Sequence, residues 1–312
     1  MEVTRLDGFR SGFVSIVGRP NVGKSTLINR FVGQKVAIVS DKPQTTRNRI
    51  QAVLTLPLAQ IIFLDTPGIH KPKHRLGERM VRTAMRTWNE VDAIAFLIDG
   101  SVGVGSGDRY IAADLAEVKT PVVLVVNKID QVQDPAEDVI ERAAAELSQF
   151  AASNGRELRF QSKFAVSALT GDGVERLRDA LIELLPEGPK YYPDDWVTDH
   201  PERFVISELI REKILHQTRD EVPHSVAVYV ERIAPRNERD LIDVEATIYV
   251  ERDSQRGIII GKGGSMLKQI GTEARLEIEA LLGSSINLQL WVKVKRDWRN
   301  VEGSLQEFGY RE

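Results

Sequence analysis

Short apolar runs alternate with amphipathic stretches along the chain up to a proline-rich segment at residues 186–195. Six runs rich in Val, Ile, Leu and Phe predict the strands Phe13–Val17, Ile50–Leu56, Ile61–Leu64, Ala93–Ile98, Val122–Val126 and Phe164–Val166. Nearly all-apolar strands are typical of a parallel sheet covered by helices on both faces. Residues 57–59 separate Ile50–Leu56 from Gln60–Leu64, so we expect an antiparallel edge hairpin there. The pattern predicts an α/β domain with a mixed, mostly parallel sheet.

The pattern differs after residue 200. Residues 204–218 have the apolar spacing of an amphipathic helix, and residues 225–233 and 242–250 alternate like half-buried antiparallel strands. A glycine-rich turn, a long helix and a final strand over 286–294 complete an α-β-β-α-α-β order. This order predicts a second, α+β domain.

The segment between the two patterns contains three prolines and a glycine within residues 186–195. Because proline and glycine interrupt regular elements, we interpret it as a linker whose aromatic residues can attach it to one domain. The predicted boundaries are a first domain over 1–187, a linker over 188–200 and a second domain with a C-terminal extension over 201–312.

Composition excludes some kinds of protein. Of the 312 residues, 42% are hydrophobic and 28% charged, as in globular proteins, and the absence of cysteine excludes disulfides and thiolate metal sites. The sequence has no run of 18 apolar residues that would predict a transmembrane helix. A formal charge of −3 gives no sign of nucleic-acid binding. We expect a cytoplasmic protein.

The phosphate-loop pattern G-x-x-x-x-G-K-[ST] occurs at residues 18–25, between the first predicted strand and a stretch compatible with a helix. In this context backbone N–H groups and the positive end of the helix point at phosphate oxygens. Lys24 would reach the β- and γ-phosphates, and the Ser25 hydroxyl would bind Mg²⁺. The predicted phosphate-binding residues are Gly18, Arg19, Pro20, Asn21, Val22, Gly23, Lys24, Ser25 and Thr26.

A second motif, Asp65-Thr66-Pro67-Gly68, follows the third predicted strand. The Asp65 carboxylate can hold Mg²⁺ through water, and the Gly68 N–H can contact a γ-phosphate. Between the two motifs lies Gln44-Thr45-Thr46-Arg47. A threonine of this segment would complete the Mg²⁺ shell only when the γ-phosphate is present, which predicts a switch segment.

Guanine recognition is predicted after the last two strands of the first domain. In Asn127-Lys128-Ile129-Asp130, the Asp130 carboxylate can accept hydrogen bonds from guanine N1–H and the 2-amino group, neither of which adenine offers there. After the next strand, Ser167-Ala168 can donate a backbone N–H to the guanine oxygen. The motifs together predict a GTP-binding domain. The alternative, an ATP-driven enzyme with the same phosphate loop, conflicts with Asp130.

Two residues bear on hydrolysis. Ile69 occupies the position after Asp-x-x-Gly where many GTPases carry a glutamine that orients the attacking water. Since an isoleucine side chain makes no hydrogen bond, we expect slow intrinsic hydrolysis. Asn21 resembles the asparagine with which potassium-activated GTPases hold K⁺ against the phosphates, and the hypothesis is that K⁺ here takes the role of an arginine finger.

In the second domain, Ile260-Gly261-Lys262-Gly263-Gly264 fits the G-x-x-G loop of a KH domain, which clamps single-stranded nucleic acid between two helices. Glycines let the backbone approach the sugar–phosphate chain, and Lys262 adds charge. Lys293 and Lys295 lie two positions apart on the final strand and are predicted to share one face. Two interpretations remain open: a type II KH domain, or a protein-binding module in which the loop is only a turn.

The chain resembles the Era family of bacterial GTPases along essentially its full length. The shared motifs are GRPNVGKSTLIN from Gly18, QTTR from Gln44, DTPG from Asp65, NKID from Asn127, SA at Ser167-Ala168, REK from Arg211, GKGG from Gly261 and WVKVK from Trp291. The resemblance implies a P-loop GTPase domain followed by a KH domain. It also implies GTP or GDP with Mg²⁺ as ligands, binding near the 3′ end of small-subunit ribosomal RNA, and a role in assembly of the small ribosomal subunit.

The resemblance also assigns roles to individual residues. Thr46 rather than Thr45 is the expected Mg²⁺ ligand beside Ser25 and Asp65. Lys24, Thr46 and Gly68 are the expected catalytic residues. The family further implies a loose, peripheral association with the inner face of the cell membrane in some settings, for which the sequence offers no mechanism. We expect a monomer.

Overall fold

The computed structural model describes residues 8–40, 42, 50–65, 88–236 and 241–310. Over these ranges the chain forms two compact units. The first holds most of the residues up to Asp199, and the second holds His200–Glu312. The boundary between the units falls at the end of the segment predicted as a linker.

The first unit combines six strands with helices that follow them in the chain. Its strands are β1 (Arg10–Gly18), β2 (Ile50–Leu56), β3 (Ala59–Asp65), β4 (Ala93–Asp99), β5 (Val122–Asn127) and β6 (Ser162–Ala165). Its described helices are α1 (Lys24–Val32), α2 (Ser106–Leu115), α3 (Ala136–Ser153) and α4 (Val174–Leu184). Each strand predicted from the sequence is present, with ends that differ by at most three residues.

The six strands form one sheet in the order β2-β3-β1-β4-β5-β6. β2 and β3 pair antiparallel and the other neighbouring strands pair parallel, which confirms the predicted edge hairpin. The order reverses at β1, which has β3 on one side and β4 on the other. Ligands of open α/β sheets bind beyond the carboxyl ends of the strands at such a reversal, so the end of β1 marks the expected site.

Helices cover both faces of this sheet. On one face Phe96 packs in a core cluster with Leu147 of α3, and on the other Ile16 packs with Leu27 of α1 and Leu181 of α4. All the residues of β4 and β5 are buried. Burial on both faces explains why these strands are uninterrupted apolar runs in the sequence, and it fixes the positions of their carboxyl ends.

The described part of the second unit contains one three-stranded sheet, in the order β7-β8-β9. The strands are β7 (Ala227–Pro235), β8 (Leu241–Val250) and β9 (Ser285–Val294), and the helices are α5 (Glu202–Gln217), α6 (Val222–Ser225), α7 (Asp253–Ile260), α8 (Ser265–Leu282) and α9 (Glu302–Glu307). β7 and β8 are antiparallel, and β8 and β9 are parallel. None of the described helices is long and apolar enough to cross a membrane.

The start of β7 differs from the sequence prediction. Ser225, predicted as the first residue of the strand, instead ends the short helix α6, and β7 begins at Ala227. Pro223 lies in the first turn of α6, where its missing N–H leaves no hydrogen bond unmade. Trp298 is fully buried and its indole N–H donates to the Ser225 carbonyl at 2.8 Å. Trp298 is therefore a core residue, whereas Trp291 is 41% exposed.

The segment predicted as a linker is hydrogen-bonded to the first unit. Gly188 N–H donates to the Phe9 carbonyl at 3.0 Å. The N–H groups of Tyr191 and Tyr192 donate to Gln60 Oε1 at 2.8 and 2.9 Å, and Gln60 Nε2 donates back to the Tyr192 carbonyl at 2.8 Å. The fully buried Gln60 side chain thus pairs with the segment as a neighbouring strand would.

The end of the same segment runs along β2. Val53 N–H donates to the Val197 carbonyl at 2.9 Å, and Thr198 Oγ1 donates to the Gln51 carbonyl at 2.7 Å. The outer edge of the sheet is therefore partly covered by the chain itself, which protects an edge strand from pairing with another molecule.

Replacing Gln60 with Ala is expected to destabilise the first unit by about 2 kcal/mol, since two N–H groups and a carbonyl lose their partners. Urea unfolding of the full chain measures the loss, and hydrogen–deuterium exchange at residues 191–192 should rise with it. Gln161→Ala is the matched control, because Gln161 is exposed and its side chain bonds to no described residue. Unchanged exchange at residues 191–192 would contradict the role of Gln60.

Candidate functional site

The loops that follow β1, β4, β5 and β6 meet at the carboxyl edge of the first sheet, because these strands are parallel neighbours. The phosphate-loop residues follow β1, where the strand order reverses. Asn127 to Asp130 follow β5, and Ser167 and Ala168 come shortly after β6. The structure therefore brings together the described parts of the predicted nucleotide site.

The phosphate loop joins β1 to α1, and its conformation depends on Gly23. This residue has φ +101°, and a Cβ built on it would lie 2.2 Å from Asn127 Nδ2. Lys24, the first residue of α1, is buried and its ammonium donates to the carbonyls of Gly18 and Arg19 at 3.0 and 2.8 Å. A side chain at position 23 would collide with the Asn127 amide, so this loop path requires glycine. The loop fits a phosphate group held by N–H groups and one lysine.

Asn127 connects this loop to the loop after β6. Its side chain is buried, its Nδ2 donates to the Val22 carbonyl at 2.8 Å, and its Oδ1 accepts from Ala168 N–H at 2.9 Å. The amide thus holds the phosphate-binding and base-binding loops at a fixed separation. In this arrangement the Ala168 N–H, predicted to bind the guanine oxygen, is already used by Asn127.

The next residue, Lys128, is positioned by an acidic group that the sequence analysis did not identify. Lys128 has φ +64°, and its Nζ lies 2.6 Å from Oδ2 of Asp99, the last residue of β4. Burial raises the pKa of Asp99, but hydrogen bonds from Lys128 and Ser101 outweigh it and hold the pKa below its usual value. Asp99 is therefore ionised and orients Lys128. Asp130, in the 3₁₀ helix Ile129–Gln131, is exposed and available to a base.

Arg19 anchors the phosphate loop to α2. Its Nε lies 2.7 Å from Oδ2 of the buried Asp108, and its Nη2 donates to the Gly103 carbonyl at 3.3 Å. Burial raises the pKa of Asp108, and this effect outweighs the hydrogen bond from Gly105 N–H and the charge of Arg19. A Cβ at Gly105 or Gly107 would lie 2.7 or 2.8 Å from the Arg19 side chain. Glycine at these two positions leaves room for the Arg19 side chain against the start of α2.

Several predicted site residues lie outside the described residues: Thr45, Thr46, Thr66, Pro67, Gly68 and Ile69. Asp65 ends β3 at the same edge of the sheet, and only its backbone is described. Ser25 is half-buried in the first turn of α1. Hydroxyl and carboxylate oxygens are the donors that Mg²⁺ prefers, so the residue types fit the predicted metal.

The second unit presents its own candidate site at the turn between α7 and α8. Gly261, Gly263 and Gly264 have φ of +73°, +60° and +82°, which L side chains rarely adopt. At Gly261 a Cβ would lie 2.8 Å from Met266 N, so the turn is also too tight for a side chain. Lys262 is exposed at the tip. The glycines are therefore required by the backbone path, whatever the loop binds.

A groove of about 450 Å³ runs from this turn between α8 and β9. Leu267, Leu288 and Leu290 provide apolar surface, and Lys268 and Arg275 place two cations along α8. An apolar groove with a few cations beside a glycine turn offers the chemistry that unstacked bases and their phosphates require.

Lys293 and Lys295 lie on the other side of the second sheet. On β9 the inward residues Leu288 and Leu290 line the groove, and Lys293 has the opposite parity. Lys293 Nζ lies 3.8 Å from Glu231 Oε1, and Lys295 pairs with Glu307. The structure therefore does not bring these lysines together with the Gly261–Gly264 turn. Lys268 and Arg275 belong to none of the predicted motifs, because two basic residues at i, i+7 on a helix form no distinctive pattern in the sequence.

Both units are similar to known proteins. A family model described as a 50S ribosome-binding GTPase matches residues 13–128, and a KH domain model matches residues 221–299. GTPase Era of Carboxydothermus hydrogenoformans is 55% identical over 304 residues, which are 97% of this chain and 99% of that protein. GTPase Era of Clostridioides difficile has the same identity and coverage.

Solved structures agree over the same extent. The crystal structure of a single-substitution variant of Aquifex aeolicus Era bound to GDP·AlF₄⁻ is 40% identical, with a TM-score of 0.90, over 97% of this chain and 100% of that chain. A crystal structure of Era with MgGDPNP and nucleotides 1506–1542 of 16S ribosomal RNA gives the same values. Because the identity of 55% extends over nearly the full length of this chain and of both relatives, this chain belongs to the Era family of GTPases.

Proposed function

We propose that this chain is a GTP-controlled switch that binds single-stranded ribosomal RNA near the 3′ end of the small-subunit RNA and assists assembly of the small subunit. The observation that carries the proposal is a glycine turn opening on an apolar groove, in a chain that also holds the loops of a GTPase. A solved Era structure with bound 16S RNA nucleotides supports the choice of RNA.

In the nucleotide site, the backbone of residues 18–26 and Lys24 would hold the phosphates, with Arg19 fixed to α2 by Asp108. Asp130 would accept hydrogen bonds from the guanine N1–H and 2-amino groups, and Asn127 and Lys128 would hold the loops around the base. Mg²⁺, bound through Ser25, Thr46 and Asp65, would neutralise charge on the phosphates during hydrolysis. Gly68 would donate an N–H to the γ-phosphate.

The linker offers a route by which GTP could act on the second unit. β2 begins at Ile50, three positions after Arg47, the last residue of the predicted switch segment that contains Thr46. Gln51 and Val53 of β2 are bonded to Thr198 and Val197, which precede α5 by a few residues. A movement at the start of β2 would therefore displace the chain that leads into the RNA-binding unit. By linkage, RNA would raise GTP affinity by the same factor as GTP raises RNA affinity.

The RNA interaction is expected to depend on base contacts more than on charge. From residue 200 onward the chain has 17 Lys and Arg against 19 Asp and Glu. Lys262, Lys268 and Arg275 are the cations beside the groove, whereas Lys293 and Lys295 lie across the sheet and are paired with Glu231 and Glu307. With roughly four phosphate contacts, log K should fall with log[salt] with a slope of about −3.

Replacing Lys262 and Gly263 with Asp should weaken binding of a 16S 3′-end RNA fragment at least tenfold, at unchanged GTP affinity, because carboxylates would face the phosphates. Fluorescence anisotropy measures the affinity. The matched control is Arg232→Asp with Gly283→Asp, which makes the same charge change at an exposed arginine and an open glycine of φ +64°. Equal losses in both double variants would favour a non-specific charge effect, and no loss in the loop variant would favour the protein-binding alternative.

Asp130→Asn should lower GTP affinity by about 100-fold or more and raise affinity for xanthosine triphosphate, since an amide can donate to the xanthine 2-oxygen. Competition against a fluorescent nucleotide gives both affinities. Asp134→Asn, at an exposed carboxylate paired with Arg142 nearby, should leave both unchanged. A GTP affinity that survives the Asp130 change would argue against this residue as the guanine acceptor.

GTP hydrolysis should be about tenfold or more faster in KCl than in equimolar NaCl if K⁺ stabilises charge at the phosphates as an arginine finger does. Asn21 has φ +67°, so Asn21→Gly removes the amide while permitting the same backbone, and it should abolish the difference. Phosphate release under single-turnover conditions is the measurement. Equal rates of the unaltered protein in the two salts would rule out the potassium role.

A further inference from the structure

Arg30 reaches from the helix of the phosphate loop to the loop that follows β6. It lies in the last turn of α1, where its Nε donates to the Ala168 carbonyl at 3.1 Å and its Nη2 donates to the Leu169 carbonyl. No sequence motif used above includes Arg30. Its guanidinium nevertheless bonds two successive carbonyls of the predicted base-binding loop, a task for which a planar fork with several donors is suited.

The N–H groups of this loop are almost all in use. Ser167 N–H donates to the Asp172 carbonyl at 2.9 Å, Ala168 N–H to Asn127 Oδ1 at 2.9 Å, and Thr170 N–H to Ser167 Oγ at 3.1 Å. From Ser167 to Thr170, only Leu169 N–H has no acceptor within the part of the chain that the structure describes. It is therefore the available donor for a carbonyl oxygen of a bound base.

The direction of this N–H is set by Arg30. The carbonyl of Ala168 and the N–H of Leu169 belong to one planar trans peptide group, so they point in opposite directions. Arg30 holds the carbonyl, and Asn127 holds the preceding peptide group through Ala168 N–H. The peptide groups before and after the Ala168 Cα are therefore both held in place, and the Leu169 N–H points away from Arg30. A cation on the carbonyl also polarises the peptide group and strengthens its N–H as a donor.

We propose that Arg30 is a positioning residue for guanine selection, which acts by aiming the Leu169 N–H at the guanine O6 atom. The proposal rests on the guanine site proposed above and adds a group to it that does not touch the nucleotide. In this proposal the donor to the guanine oxygen is the Leu169 N–H, because the Ala168 N–H already donates to Asn127. A different role for Arg30, as a cation that stabilises the C-terminal end of α1, would affect all nucleotides alike.

A cycle that combines Arg30→Ala with 6-thio-GDP tests this role, because sulfur replaces only O6 and accepts hydrogen bonds poorly. Arg30→Ala should weaken GDP binding about fivefold, the size expected for one misaligned hydrogen bond. The same change should weaken binding of 6-thio-GDP less than twofold, since the hydrogen bond from Leu169 N–H to the atom at position 6 is already weak in that ligand. Isothermal titration calorimetry on the full chain gives the four affinities.

Arg176→Ala is the matched control, because this residue lines the same surface cleft as Arg30 and bonds to no described carbonyl of the loop. It should change neither affinity. Arg30→Gln, which retains one donor, repeats the cycle if the alanine variant does not fold. Equal weakening of GDP and 6-thio-GDP, or no weakening of GDP, would overturn the role of Arg30 while leaving the guanine site intact. Failure of the unaltered protein to bind GDP would instead overturn the guanine site itself.

Discussion

The side chain of Asn127 is the contact on which the nucleotide site depends. It is buried at the end of β5, donates to the Val22 carbonyl of the phosphate loop and accepts from Ala168 N–H in the loop after β6. Gly23 must be a glycine in part because Asn127 lies so close to it. One amide thereby sets the distance between the phosphate-binding and base-binding loops, and rigid strands buried on both faces hold the amide in place.

Three charged side chains in addition to the Asn127 amide hold the loops of the nucleotide site in place. Arg19 ties the phosphate loop to Asp108, Asp99 orients Lys128, and Arg30 holds the carbonyls of Ala168 and Leu169. Each joins residues that are far apart in the chain but in contact in the folded unit. These contacts prearrange the site, so that less of the nucleotide's binding energy is lost in ordering the loops.

The candidate site of the second unit is shaped by backbone conformation, whereas the loops of the first unit are held by side-chain contacts. The Gly261–Gly264 turn is defined by positive φ angles, and the groove beside it is built from apolar residues of α8 and β9. The low net charge of the second unit suits the proposed ligand, which would be recognised by its bases. The linker, bonded to Gln60 and β2, is the segment through which the proposed linkage between nucleotide and RNA affinity would act.

The sequence by itself determined the elements and the motifs. Apolar runs and alternating apolar positions predicted the strands. The phosphate loop, Asp130 and the G-x-x-G turn indicated the chemistry. Both kinds of signal lie in residues that are adjacent in the chain. Only the tertiary structure decided which distant residues support them: Asp108 for Arg19, Asp99 for Lys128, Arg30 for Ala168. It also placed Lys268 and Arg275 at the groove and Lys293 across the sheet. Such partners follow from strand order and helix packing, which no local pattern of residues encodes.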